Sequence, residues 1–243
     1  MTTSEGKVYD KTHENNINRE PQKGRYDVKT IREIIEQSHF VNVAFVDLDG
    51  NPQCIPMISA IFEDANGDLT VYLHGYHKAR LVKLLPPESR VCITATLLDG
   101  IGLALSAFHH TMNHRSAVLH GVVEDWDETT PTAAEAKWEA ARQIVNAVVP
   151  GRWEHCREPN KAEMTTTGFL KIRVLSASAK VRSGQPGEER KDVEDKDLLG
   201  KTWAGIIPTR LAYGTPQPSD FNVAPVPEHI SAYLADSSVA PGN

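Results

Sequence analysis

Cysteine is scarce in this chain. Its three copies in 243 residues, Cys54, Cys92 and Cys156, stand far apart and never in a CxxC spacing. That pattern argues against both a zinc knuckle and a disulfide framework, and leaves the three thiols as small hydrophobes. A basic surplus is also missing: Lys and Arg number 26 against 32 Asp and Glu, for a formal net charge of −6. Nucleic acid is therefore not an expected partner, because binding it needs a concentrated basic face to neutralise phosphates. Nor is there a long apolar run. No stretch approaches the roughly 18 residues of a membrane span, and the opening MTTSEGKVYDKTHENNINRE lacks the apolar core of a secretory signal. A cytoplasmic protein with no membrane association is expected. The hydrophobic share of 40% is enough to bury a core.

What is present is organised as one large domain between two arms. Residues 1–26 are polar, without an apolar period, and are expected to form a flexible N-terminal arm that needs a partner surface to order it. The domain is expected over 27–213. Asp27 can cap a helix in VKTIREIIEQSHF, where Val28, Ile31, Ile34 and Ile35 recur on one face. Three β-rich runs follow, VNVAFVD, QCIPMISAIF and LTVYLHG, separated by DLDGN and DANGD, whose Asp-Gly and Asn-Gly pairs suit tight hairpins. HKARLVKLL predicts a short helix stopped by Pro86-Pro87, and PTAAEAKWEAARQIVNAVV a long one. RVCITATLL, IGLALSAF, SAVLHGVVEDW and TTGFLKIRVLSASAKVR predict further strands. Ser183–Lys201 is charged and punctuated by Gly and Pro, which predicts a loop, and 214–243 is a Pro-rich C-terminal arm. The fold class is mainly β with flanking α: an antiparallel barrel with helices at its ends.

The stretch SAFHHTMNHRS, residues 106–116, packs three histidines, an asparagine and an arginine between two apolar runs. His110 and His114 have helical metal-site spacing, but the flanks favour strand, no glutamate follows His110, and no Cys, Asp or Glu completes a ligand set, so no metal is expected. Ser106 and Ser116 lack a nucleophile elbow and can equally satisfy strand ends. GIGLALSA has Leu105 where a dinucleotide fingerprint needs its third glycine, which argues against a Rossmann domain. HGYHKARLVK is the better anion candidate: His74, His77, Lys78, Arg80 and Lys83 occur at a helix start with no acid among them. Solvated cations on an amphipathic helix would look the same. Asn113 and Arg115 can extend such a pocket, and Lys180, Arg182 and Trp203 recur late in the chain.

Taken in order, HG-x-x-K-x-R, VCITATLLDGIGLALSAFHHTMNHRS, VVPGRW, SAKVR and WAGIIP resemble one family, the pyridoxamine 5′-phosphate oxidase-like FMN-binding split barrels, in the flavin-nucleotide-binding subgroup with the nitroimidazole-reductase-like proteins. The resemblance runs from about Val28 to about Leu211. It implies a six-stranded antiparallel split β-barrel and a homodimer with FMN at each subunit interface. It places Pro56, Met57, Ile58 and Ser59 beside the flavin ring, largely through backbone, and Lys78 and Arg80 on the phosphate with His74 nearby. Ser106, Asn113, Arg115 and Ser116 become a pocket wall, while Lys180, Arg182 and Trp203 reach the partner subunit's flavin. Relatives carry tyrosine where this chain has His114. The function implied is an FMN-dependent oxidoreductase acting on a small molecule, with His109, His110 and His114 as candidates to move a proton, since histidine titrates near neutrality. A non-redox flavin-binding or storage module, and a flavin-independent biosynthetic enzyme using those histidines as acid and base, are the alternatives.

Overall fold

The computed structural model describes residues 6–125 and 131–236. In chain order the elements are β1 (Gly24–Arg25), α1 (Val28–Gln37), β2 (Val41–Val46), β3 (Pro52–Met57), β4 (Ser59–Glu63), β5 (Leu69–Tyr76), α2 (Arg80–Leu84), β6 (Arg90–Leu103), β7 (Thr111–Glu124), α3 (Pro131–Val148), α4 (Lys161–Thr166), β8 (Thr167–Arg182), α5 (Arg190–Glu194), α6 (Lys196–Leu199), β9 (Gly205–Pro208) and α7 (Glu228–Asp236). Turns of 3₁₀ helix cover Pro21–Lys23 and Trp153–His155.

The strands pair in the order β3-β2-β6-β7-β8-β5-β4, with β1 added to β8 and β9 to β6. Every pairing is antiparallel. β3 and β4, at opposite ends of that path, are consecutive in sequence and separated only by Ile58. One bent strand therefore supplies both margins and closes the sheet, leaving six long strands in a barrel.

Local chemistry explains the pieces. Asp27 caps α1, its Oδ1 accepting from the Thr30 amide at 2.8 Å, and Val28, Ile31, Ile34 and Ile35 are all buried. In the β2–β3 hairpin Asp47 Oδ1 accepts from the Asn51 amide at 2.8 Å while Gly50 takes φ +83°. The β4–β5 hairpin repeats the device with Asp64, the Asp68 amide at 2.8 Å and Gly67 at φ +77°. Inside the barrel Val41, Val43, Leu69, Val71, Leu73, Ile93, Leu119 and Ile172 are essentially inaccessible. Each such side chain contributes about 1.5–3 kcal/mol by leaving water. α1 lies against β4, β6, β7 and β8. A second, smaller core forms outside, where Ala140, Ala141 and Ile144 of α3 pack with Ala60 and Phe169.

Three expectations are corrected. Residues 6–26, expected to be a flexible arm needing a partner surface, pack on their own barrel: Tyr9 is buried, Val8 bridges to Asp27, and the Asn15 side chain, 3% exposed, donates to the carbonyls of Asp10 at 2.9 Å and Ala177 at 3.1 Å. Side-chain to backbone hydrogen bonds hold this segment, so an apolar period was not required. Within 183–201, expected as loop, residues 183–189 are irregular but 190–194 and 196–199 form α5 and α6, and Asp195 caps α6 through the Asp197 and Leu198 amides. In the C-terminal arm, α7 docks by stacking His229 on His155, with ring centroids 3.9 Å apart. Residues 1–5 and 237–243 of the two arms lie outside the described residues.

Candidate functional site

The histidine-rich stretch 106–116 forms a turn and then enters β7. Because β7 and β8 pair in register, Ser116 stands opposite Lys180 and His114 opposite Arg182. Residues two apart on a strand share a face, so these four side chains lie on one side of the sheet in adjacent rungs. Asn113, 8% exposed, accepts a hydrogen bond at Oδ1 from Arg182 Nη1. The guanidinium is thereby fixed at the end of the ladder. The Lys180 ammonium donates to the Arg19 carbonyl at 3.1 Å.

Arg115 is committed elsewhere. Its Nε and Nη2 bind both Asp99 oxygens at 3.0 and 2.9 Å, and its Nη1 donates to Gln37 at 2.6 Å. A fork already filled by a carboxylate has little left for a ligand. The turn before β7 is braced by His110, whose Nδ1 accepts from the Ala104 amide at 3.1 Å, and by Glu188, which accepts from the Leu105 amide at 3.0 Å. His109 keeps a buried Nδ1 without a partner, and Ser106 accepts the His109 amide through its carbonyl at 3.1 Å. The exposed Trp203 precedes β9, which pairs with the end of β6, so it stands at this same end of the barrel. His109, His110 and His114 thus belong to one rim without forming a single cluster.

The other cationic stretch lies at the opposite end. α2 has only five residues, and its N-cap Ala79 offers no side-chain cap. Lys78 is exposed, and Arg80 reaches Asp47 at 3.3 Å, where the Asp47 carboxyl is held below its usual range first by the Asn51 amide. His74 pairs with Phe169 across β5 and β8, eleven residues before Lys180 on the same strand. At ~3.3 Å per residue that is about 35 Å of strand. One chain does not bring Lys78 and Arg80 together with Lys180 and Arg182. Between the two ends, Met57 packs against the core, Pro56 pairs with Asn42, and Ile58 and Ser59 border a hollow of about 250 Å³ beside His39 and Asn146.

A cavity of about 400 Å³, which the sequence did not foretell, lies beside His74. Ala141, Ile144 and Val145 of α3, Trp153, Met164 and Phe169 give it apolar walls, and Cys156 and Arg157 also line it. The guanidinium of Arg157 is neutralised by Glu163, with contacts of 2.8 and 2.6 Å, and this pairing with the Asn160 amide lowers the Glu163 carboxyl to about 2. His74 has a buried Nδ1 with no partner, and burial pushes its pKa down. The cavity therefore presents a neutral imidazole among hydrocarbon. Among the described residues no group of three or more His, Cys, Asp or Glu is placed to hold a metal ion, and no helix is long and apolar enough to cross a membrane.

Comparison with known proteins places this architecture. The flavocytochrome Anf3 from Azotobacter vinelandii is 31% identical, with 91% of this chain and 97% of that one covered at a TM-score of 0.76. The FAD and haem binding protein from Mycobacterium smegmatis shares the fold at 23% identity, with 87% and 97% covered and a TM-score of 0.74. No curated protein matches the chain. The pyridoxamine 5′-phosphate oxidase family matches residues 27–181, from the α1 cap to the last residue but one of β8, and the chain belongs to that family.

Proposed function

We propose that the protein is a flavin-dependent oxidoreductase that works on a small molecule as a homodimer. What carries the reading is the β7–β8 rim, where a hydroxyl, an imidazole and two cations, Ser116, His114, Lys180 and Arg182, share one sheet face. A flavin bound there would supply hydride or single-electron transfer. The chain's own part is to hold it and to stabilise negative charge on it. Lys180 and Arg182 suit that role by the electrostatics of preorganised donors, and Arg115, locked on Asp99, does not. FMN is the flavin expected from sequence, and FAD is supported by the mycobacterial relative.

The same geometry supports the dimer. Two cationic groups at opposite ends of β8 suit a two-fold axis, which sets one end of a chain beside the other end of its copy. Exposed apolar side chains support a covered face: Ile207, Ile101 and Met112 stand in one row across β9, β6 and β7. His114 is then the histidine best placed to hand a proton to a bound substrate.

A second cofactor is favoured by the cavity beside His74. Both relatives named above are haem or cytochrome proteins by name, and apolar walls with one neutral imidazole fit a haem, whose iron His74 would hold. The deciding experiment is anaerobic titration of purified protein with NADH and NADPH, followed by air. Reduction and reoxidation at catalytic rates support the oxidoreductase; a bound flavin that neither donor reduces and no acceptor reoxidises leaves the storage module.

A further inference from the structure

Three cations and one carboxylate meet where the N-terminal segment crosses the end of β8. Gly24 of β1 pairs with Lys180, and the Lys180 ammonium holds the Arg19 carbonyl at 3.1 Å. The next residue, Glu20, has φ 57° and ψ 57°, a left-handed conformation that side chains with a Cβ adopt at a cost. Its carboxylate is ion-paired with Lys23, and Lys23 first, then Lys180 and Arg182, hold that carboxyl below its usual range. Lys180 and Arg182 share a face of β8, and Arg182 is anchored by the buried Asn113.

The charge balance is the telling feature. In a chain of net charge −6, Lys23, Lys180 and Arg182 surround a single acid, so two positive charges are left over. A carboxylate from the same chain thus occupies a place suited to a more highly charged anion, and the residue that brings it has its backbone in an unfavourable region. An extended nucleic acid would need a far larger basic face than these three side chains. A diphosphate, with charge between two and three, matches them once Glu20 has left.

We propose that Lys23, Lys180 and Arg182 form a site for the diphosphate of a nucleotide, closed in the free protein by Glu20, which the incoming phosphates displace. Asn113 keeps the Arg182 fork aimed, and the segment around Glu20 is the latch. The proposal rests on the flavin-nucleotide reading only for the source of the diphosphate, and so it is tested with ADP, which carries no flavin ring.

The experiment is calorimetric titration of the full chain with ADP, and separately with FMN and FAD, for wild type, Glu20→Gln and the double variant Lys180→Gln/Arg182→Gln. Glu20→Gln removes the competing charge at a half-buried position and should bind ADP about 2- to 5-fold more tightly, the range of one surface charge pair. The double variant should lose at least about tenfold. Affinity for ADP that is unchanged by Glu20→Gln, or no binding by wild type and Glu20→Gln alike, overturns the proposal. FMN binding without ADP binding would remove this site and leave the flavin reading intact. ADP binding strengthened by Glu20→Gln, with neither flavin bound, would uphold the site and remove the flavin reading.

Discussion

His74 of β5 stands directly opposite Phe169 of β8, and the two side chains line the same apolar cavity. The pairing partly buries the imidazole among apolar walls, so its folded-state pKa lies below the unfolded value of about 6.5. A depressed histidine pKa contributes stability that is present above about pH 6.5 and is lost as pH falls toward the folded value. His74→Phe should therefore flatten the loss of stability on mild acidification, read as melting temperature against pH. If the cavity holds haem as proposed, the same variant loses the Soret band and keeps the flavin bands.

Arg115 looks like a cofactor ligand in sequence and is an internal tie in the structure. Its bidentate pair with Asp99 is more than two-thirds shielded on both sides, and its third contact reaches Gln37 at the end of α1. Arg115→Ala is expected to cost about 1–2 kcal/mol of stability in chemical unfolding, with flavin affinity changed little after allowance for unfolded protein. A selective loss of flavin at unchanged stability would return Arg115 to the binding site.

Lys78 and Arg80 should differ as phosphate contacts. Lys78 has no acidic partner among the described residues, whereas Arg80 is shared with Asp47. A charged hydrogen bond to phosphate contributes about 1.5–3 kcal/mol. Lys78→Ala should weaken flavin retention by the larger factor, and Asp47→Asn should partly strengthen it by releasing Arg80. Fluorescence titration of apo-protein with FMN measures both. Equal retention in wild type and the Lys78→Ala/Arg80→Ala double variant would remove this end of the barrel from the site.

Tyr9 tests the packing of the N-terminal segment. Burial, helped by the nearby Asp68 carboxylate, raises its phenol to about 12 from 10. For a raised phenol the stability is complete below about pH 10 and is lost as pH rises from there toward 12. The buried hydroxyl has only the Leu69 amide as a weak hydrogen-bond neighbour, so Tyr9→Phe should change the melting temperature little and remove that alkaline loss. Tyr9→Ala should cost about 3–5 kcal/mol, the range for emptying a buried aromatic site.

Elements built from local rules were legible. Asp27 and its four apolar followers announce α1, and the Asp-Gly and Asn-Gly hairpins announce β2 to β5. Closure of the barrel was not legible from periodicity, because it depends on a bend at Ile58 that turns one strand into both margins of the sheet. The N-terminal segment was misread because its anchor, Asn15 to the Ala177 carbonyl, joins residues 162 apart through a single polar side chain. The His74 cavity was hidden for a similar reason: α3, the 3₁₀ turn at Trp153 and the start of β8 each supply one wall. The rim was partly legible. Asn113, Ser116, Lys180 and Arg182 do meet there, while the Arg115 pair with Asp99 depends on β6–β7 register that no motif announces.

The visible absorption spectrum of the purified protein, with chromatography of whatever heat denaturation releases, tests the central claim most directly. The account predicts stoichiometric flavin, FMN or FAD, bleached by a reductant and restored by an acceptor. Colourless protein that also fails to take up added FMN and FAD would contradict it, leaving the barrel without the chemistry proposed for its rim.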